Sequence, residues 1–536
     1  MTQKKQILKS ASVISLVTVV SRILGYVRDQ RLTLLLGTSP LADAFVLAYR
    51  IPSLLRRLVG EGSMTASFIP VFSGYLAKSP RREVWLFANR VFWTLATVLA
   101  VLTVLGALSS AQVVHLFTSF GSGGARWNQA IDLNRIMFPY IFFVGLAALA
   151  SAILNCFHIF ATPAATPIFL NLSIIGCSVA VVWRHFPNPA EALAVGVLVG
   201  GTLQFLVQIP QLVRKGMHFD FGVSFQDPGV RTVSRLMVPG FFGIGVAQIN
   251  FLVGTIFATS ARMPEGSVTA LYVAERVMEL VLGVYAIAVA TAILPMMSHQ
   301  AAAGDIGEMK ATLAFALRIV SFITIPAAVG LIVLREPIIR VLFEHGRFVA
   351  ESTALTTRAL FYYAFGLPAF AAIRLIVPAF YSSRDTRTPV QVASFALALN
   401  IALNLLCLHW LFSTFRNGGP AFATVIAGYF NFFALFAIFR LRYGHLGISQ
   451  ILVSVARIAL CAGLMGGACW MALRLSHFDT YQRFLPRLGV FASLILGAVA
   501  VYLALAWVLR CHEVAEVYGI ALHGDHEPET VAGLPG

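Results

Sequence analysis

Runs of about 20 mostly apolar residues, long enough to cross a bilayer as a helix, recur from one end of this chain to the other. Fourteen such stretches are predicted, at 10–36, 41–76, 84–117, 131–157, 162–184, 190–213, 230–260, 267–298, 311–335, 354–381, 388–413, 418–440, 448–474 and 486–510. Several exceed the minimum length, which leaves room for tilt or a kink. The polar segments between them are short, and none could form a separate soluble domain. The first stretch follows Lys4, Lys5 and Lys9 in the manner of a signal peptide. No small-residue cleavage site follows, and Arg22 and Arg28 interrupt the run, so it reads as an uncleaved first span.

Composition agrees. Of 536 residues, 58% are hydrophobic and 12% are charged, about half the charged share of a soluble domain. So few charges cannot coat a water-soluble protein of this size, which excludes a soluble enzyme, a secreted scaffold and a disordered chain. The formal charge of +16 would suggest nucleic acid in a soluble protein. Here the basic residues form short clusters between apolar runs, as in loops that orient a membrane protein. With a cytoplasmic N-terminus, the cytoplasmic set holds Lys78, Arg81, Arg82, Arg214, Lys215, Lys310, Arg384, Arg387, Arg440 and Arg442. The opposite set holds Arg126, Arg184 and Arg262, with clusters at 335–347 and 474–487. The balance favours both termini inside. Residues 336–352 read as a short amphipathic helix on the membrane face. The six cysteines show no metal-ligand spacing and read as small packing residues.

An internal repeat is visible at an offset of 226 residues. Ala44-Phe45-Val46-Leu47-Ala48-Tyr49-Arg50 falls on Ala270-Leu271-Tyr272-Val273-Ala274-Glu275-Arg276, and Phe68-Ile69-Pro70 on Ile293-Leu294-Pro295 after one deletion. Both stretches are second in a block of six spans. The fold class expected is therefore an all-α polytopic membrane protein, with two pseudo-symmetric six-helix lobes and two further helices. The lobes would occupy 1–225 (spans 1–6) and 226–445 (spans 7–12), followed by the two extra helices in 446–511 and a disordered cytoplasmic tail in 512–536. Parallel repeats of this kind mark transporters, with the substrate between the halves.

Charges inside spans cost at least a few kcal/mol and so mark functional candidates. The first span holds Ser21, Arg22, Gly25, Arg28 and Asp29. The second holds Asp43, Arg50, Arg56, Arg57 and Glu61, with Asp43, Arg50 and Arg57 spaced seven apart on one stripe and Pro52 as a predicted kink. The eighth holds Thr269, Glu275, Arg276 and Glu279, of which Thr269, Arg276 and Glu279 share a face. Arginine exceeds carboxylate over these segments. An unpaired buried charge is costly, so the surplus calls for an anion from outside, and the planar guanidinium fork suits phosphate oxygens. Snorkelling near span ends accounts for Arg31 and Arg57, but poorly for Arg22 and Arg276. Arg374 in the tenth span divides evenly between cavity lining and a structural pair. Neither a phosphate loop, an HExxH nor a GxSxG motif is present; the chain does not read as an enzyme, and no cofactor or metal is expected.

These residues carry a family resemblance. Ser21-Arg22-Ile23-Leu24-Gly25, Arg28-Asp29, Asp43-Ala44-Phe45, Pro52, Leu55-Arg56-Arg57-Leu58, Glu61-Gly62 and Phe68-Ile69-Pro70, with Tyr272 to Glu279 in the eighth span, resemble the MurJ (MviN) family. These are bacterial lipid II flippases of the multidrug/oligosaccharidyl-lipid/polysaccharide exporter superfamily. The resemblance extends over about residues 10–511. It implies an inner-membrane flippase that moves lipid II, an undecaprenyl-diphosphate-linked disaccharide pentapeptide, to the periplasmic leaflet for cell-wall synthesis. It implies alternating access, a lipid-tail groove on the last two helices, and a place beside other cell-wall synthesis proteins, with no nucleic-acid partner. The family's functional positions fall on Ser21, Arg22, Arg28, Asp43, Arg56, Thr269, Arg276 and Glu279, with Arg50 as a general cationic contributor. In this reading Arg22, Arg28, Arg56 and Arg276 draw in the diphosphate, and Asp43 and Glu279 pair with them when the site is empty. The alternative is an exporter of another polyprenyl-diphosphate glycan or of drugs. A membrane glycosyltransferase and a non-transporting scaffold are the rivals from other classes.

Overall fold

The computed structural model describes residues 3–58, 64–118, 124–184, 188–480 and 483–514. Among these no strand occurs. The helices are α1 (Gln3–Leu36), α2 (Pro40–Leu58), α3 (Met64–Lys78), α4 (Arg81–Leu108), α5 (Ser110–Leu116), α6 (Ala125–Met137), α7 (Tyr140–Cys156), α8 (Ala161–Arg184), α9 (Pro189–Leu206) and α10 (Ile209–Arg214). They continue with α11 (Pro228–Ala258), α12 (Ser267–Ala302), α13 (Ile306–Phe343), α14 (Ala350–Ser382), α15 (Arg387–His409), α16 (Phe412–Phe415), α17 (Gly419–Tyr443), α18 (Ile448–Leu475) and α19 (Phe484–Val508). Ten helical segments among the described residues are long and apolar enough to cross a membrane. They coincide with the third to sixth and ninth to fourteenth predicted spans. The chain is an all-α, multi-pass membrane protein.

The first, second and eighth predicted spans, which hold the charged candidates, are helical too, as α1, α2 with α3, and α12. The second covers α2 and α3, with Pro52 inside α2; Glu61 lies outside the described residues. The amphipathic helix expected at 336–352 is not a separate element. α13 runs on to Phe343 through Pro337, and α14 starts at Ala350. The turn between them packs on the α1–α2 turn, where the Arg347 amide donates to the Leu34 carbonyl at 3.0 Å. The tail expected from His512 begins with packed residues: Glu513 is 1% exposed. The acidic residues Asp525, Glu527 and Glu529 lie outside the described residues.

Close contacts divide the chain into two compact units. The first contains Met1–Glu275, Leu342–Ala359 and Ala393–Ala427. Within it α8 packs on α9 and α1, α2 on α6, and α3 on α7 and α11. Lipid leaves helices no hydrophobic drive to associate, so close backbone approach at small residues matters. Gly196 and Gly200 of α9 supply it. A Cβ on Gly196 would lie 3.1 Å from the Ile174 Cα, and one on Gly200 2.9 Å from the Leu170 Cα.

One hydrogen bond in this unit occurs twice. The Asn171 side-chain amide in α8 donates to the Ser21 carbonyl in α1 at 3.0 Å. The Asn400 amide in α15 donates to the Asn250 carbonyl in α11 at 3.2 Å. Each pair is 150 residues apart, and the second lies 229 residues beyond the first. The two contacts share a spacing and lie at an offset three residues larger than the one read from the second and eighth spans.

The second unit contains Arg276–Val341, Leu360–Val392 and Gly428–Gly536. Here α18 packs on α19, and Ile458, Cys461, Met465, Tyr502 and Ala506 form a core with Phe322 of α13. Pro326 has no N–H to give the Phe322 carbonyl four residues back. The Tyr502 hydroxyl donates to that carbonyl instead, at 2.7 Å in a buried setting.

Candidate functional site

The first-span candidates lie on one helix, and two of them meet. Arg28 is 8% exposed and Asp29 5%. The Arg28 Nε and Nη2 both donate to Asp29 Oδ1, at 2.9 and 2.7 Å. Its Nη1 donates to Asn171 Oδ1 at 3.0 Å, and its Cζ lies 5.9 Å from the centre of the Tyr49 ring. The Tyr272 hydroxyl donates to the same Asp29 oxygen at 3.0 Å. Residues of α1, α2, α8 and α12 therefore converge on one guanidinium–carboxylate pair, whose burial in low dielectric is made tolerable by this hydrogen bonding. Arg22 and Ser21 are half-buried on the same helix. No carboxylate among the described residues pairs with Arg22. Arg31, assigned to a snorkelling role, donates from Nε to Ser178 Oγ at 3.2 Å.

The stripe Asp43, Arg50, Arg57 is real, since all three side chains reach the segment 248–275. Arg57 Nη1 donates to Gln248 Oε1 at 3.0 Å, a directed contact rather than simple snorkelling. Arg50 Nη1 donates to Thr255 Oγ1 at 2.7 Å, and Nη2 to Glu275 Oε2 at 2.5 Å. The Arg50 guanidinium also sits 5.6 Å from the centre of the Tyr272 ring. Arg56, in the last turn of α2, is half-buried.

Asp43 takes a different partner from the one expected. Its carboxylate, 1% exposed, accepts from the Gly266 amide at 2.9 Å, the Thr269 amide at 2.9 Å and the Thr269 hydroxyl at 2.8 Å. These N–H groups open α12 and have no carbonyl of their own helix to bond. A carboxylate there satisfies them and meets the positive end of the helix dipole. Asp43 is thus a helix cap supplied from another helix, not an arginine's counter-ion. Gly266 makes the approach feasible: its φ is +84°, and a Cβ would come within 2.1 Å of the Thr38 carbonyl oxygen. Arg126 and Glu265 form an ion pair beside this junction.

In the second unit, Arg276 Nη1 donates to Glu279 Oε2 at 2.6 Å, both side chains about a quarter exposed. This is the three-residue pairing the spacing predicts. Arg374 is half-buried in α14.

Sequence reading missed Asn171, Tyr272 and Tyr49 as members of the first cluster. A side-chain amide in the middle of an apolar span was the available signal for Asn171. The tyrosines stood within the repeat and, for Tyr272, the family stretch, but nothing there set them apart from the apolar positions beside them.

The arrangement presents arginine groups held in place by carboxylates, amides and aromatic faces. Such groups can bind an anion if a carboxylate partner yields or shares.

Comparison with known proteins follows the same direction. The family model described as lipid II flippase MurJ matches residues 32–490. A probable lipid II flippase MurJ of Vibrio cholerae is 35% identical over 524 residues, covering 95% of this chain and 97% of the relative. The lipid II flippase MurJ of Burkholderia cenocepacia is 32% identical over 503 residues, covering 92% and 95%. A solved lipid II flippase MurJ in an inward closed conformation superposes with a TM-score of 0.77 at 26% identity, covering 95% of this chain and 99% of that one. An inward-facing multidrug transporter of the MATE family superposes at 0.66 with 15% identity, a likeness of fold alone. With its matched family model and near full-length relatives, the chain belongs to the lipid II flippase MurJ family.

Proposed function

We propose that this protein flips lipid II from the cytoplasmic to the periplasmic leaflet by alternating access. The observation that carries the reading is the Arg28 cluster, a buried guanidinium oriented by Asp29 and Asn171 within membrane helices. Arg22, Arg56 and Arg276 complete the diphosphate-binding set. Asp29 and Glu279 occupy Arg28 and Arg276 until substrate arrives, and the diphosphate then takes over their hydrogen bonds. Ser21 and Thr269 contribute hydroxyls, Arg50 contributes positive potential, and Asp43 fixes the start of α12. The polyprenyl tail stays in lipid along α18 and α19. Moving one elementary charge across the membrane couples to the potential at about 2.3 kcal/mol per 100 mV, so the potential can drive the return of the cationic site.

The arrangement is fourteen crossings, as two six-helix lobes and two added helices, with both termini cytoplasmic. Loop contacts within each unit support it. The α1–α2 turn touches Gly266 and Arg347, all expected outside. The Asp385 loop pairs with Arg442, and both are expected inside.

The test is reconstitution in vesicles with labelled lipid II, reading its accessibility in each leaflet. Wild-type protein should equilibrate the label, and Arg28→Ala and Arg276→Ala should abolish this while the protein remains inserted. Normal flipping by both variants would refute the arginine site.

A further inference from the structure

A second basic site lies away from these residues, where the chain's end folds back on α18. After α19 the backbone reverses at Arg510, whose φ is +50°, and the Cys511 amide donates to the Ala506 carbonyl at 2.9 Å. The reversal buries Glu513, which accepts from Ser454 Oγ at 2.6 Å and lies 3.6 Å from Arg318 Nη1. Beside it is a cavity of about 450 Å³ lined by Arg318, Arg457, Ser449, Ser454, Val453 and Glu513 among others.

The charges are unequal. Two arginines face one carboxylate, and that carboxylate is engaged on its buried side. Arg457 is exposed. Its Nη1 lies 3.5 Å from the Arg510 carbonyl oxygen, and no carboxylate among the described residues pairs with it. The first turn of α18, beginning at Ile448, adds the positive end of a helix dipole and the Ser449 hydroxyl. Guanidinium groups, hydroxyls and a helix start together form a donor set for phosphate oxygens.

The surroundings specify which phosphate. Val453, Arg457, Leu460 and Leu464 follow one another along a single stripe of α18. Val453, Leu460 and Leu464 are 51%, 54% and 50% exposed. On a membrane helix such a stripe faces acyl chains. A phosphate donor set at one end of an apolar stripe matches an amphiphile, and the excess positive charge favours a net anionic one.

We propose that this cavity binds the phosphate headgroup of an anionic phospholipid, with its acyl chains lying along α18. None of the candidate diphosphate-binding residues lines it, although α18 also borders the path proposed for the polyprenyl tail.

Native mass spectrometry of the detergent-solubilised full chain tests this, titrated with phosphatidylglycerol, phosphatidylcholine or inorganic phosphate. Arg457 is exposed, so Arg457→Gln leaves the core untouched, and an unchanged melting temperature confirms it. The wild type should retain a phosphatidylglycerol that Arg457→Gln binds at least tenfold more weakly. Arg457→Lys should recover part of that affinity, and phosphatidylcholine should not distinguish the variants. A chain ending at Val514 should bind as the full chain does. Equal phosphatidylglycerol retention by wild type and Arg457→Gln would overturn the proposal. So would displacement of the lipid by millimolar phosphate, which marks a free-anion site, or stronger lipid binding after truncation, which marks the chain's own end as the occupant.

Discussion

Thr269 and Asp43 stand 226 residues apart and are joined twice, through the Thr269 amide at 2.9 Å and its hydroxyl at 2.8 Å. The separation equals the offset of the internal repeat, so each residue meets the position that the repeat lays over it.

The same contact predicts a graded response. Asp43→Ala strands two buried amide donors and a hydroxyl, each worth about 1–3 kcal/mol when unsatisfied. Thr269→Ala removes only the hydroxyl bond, about 1 kcal/mol, and Thr269→Ser keeps it. Thermal unfolding in detergent should rank Asp43→Ala well below Thr269→Ala, with Thr269→Ser near wild type. Equal losses for Asp43→Ala and Thr269→Ala would show that the cap contributes nothing beyond the hydroxyl.

Asn171 and Asn400 offer a controlled comparison. Both hold a carbonyl of the first helix in their half of the repeat, but only Asn171 also accepts from an arginine. Asn171→Ala should slow lipid II flipping about tenfold, corresponding to about 1.4 kcal/mol, because Arg28 loses one of its fixed partners. Asn400→Ala should lower stability while leaving flipping within about twofold. Initial rates of lipid II equilibration in vesicles separate the two. Equal rates would reduce Asn171 to a packing residue.

What the sequence could and could not reveal follows from range. Helix positions followed from apolar run length, because the bilayer imposes it. The Arg276–Glu279 pair and the Asp43, Arg50, Arg57 stripe followed from helical spacing alone. The partners of Arg28 and Asp43 did not, since Asn171, Tyr272 and the α12 amides are brought in by tertiary packing. A helix start is especially hard to foresee as a partner, because its donors belong to the backbone and no residue type advertises them.

Tyr502 is expected to act on stability through a proline six helices' worth of sequence away. Its hydroxyl satisfies the Phe322 carbonyl that Pro326 leaves without a helical donor. Tyr502→Phe should cost about 1 kcal/mol. In a Pro326→Ala background the restored amide supplies the bond, so Tyr502→Phe should then cost much less. A double-mutant cycle by thermal unfolding reads the coupling directly. An identical cost in both backgrounds would disconnect the tyrosine from the proline.

Asp385 gives a pH dependence of definite sign. It lies between α14 and α15, where partial burial opposes its charge. Hydrogen bonds from the Thr388 hydroxyl and amide, at 2.6 and 3.0 Å, and the contact with Arg442 outweigh burial and hold its carboxyl below the ordinary value. A carboxyl depressed on folding contributes stability above its unfolded pKa, near 3.9, and loses it as the pH falls through the folded value. At pH 7, Asp385→Asn should cost up to about 1 kcal/mol, the worth of a negative charge at a helix start, since Asn keeps the cap's acceptor oxygen. As the pH is lowered through the carboxylate range the wild type should approach the variant, because protonated Asp385 no longer attracts Arg442. Melting temperatures of both proteins between pH 7 and pH 3 decide it, and a gap that stays constant over that range would show that the carboxylate's charge plays no part.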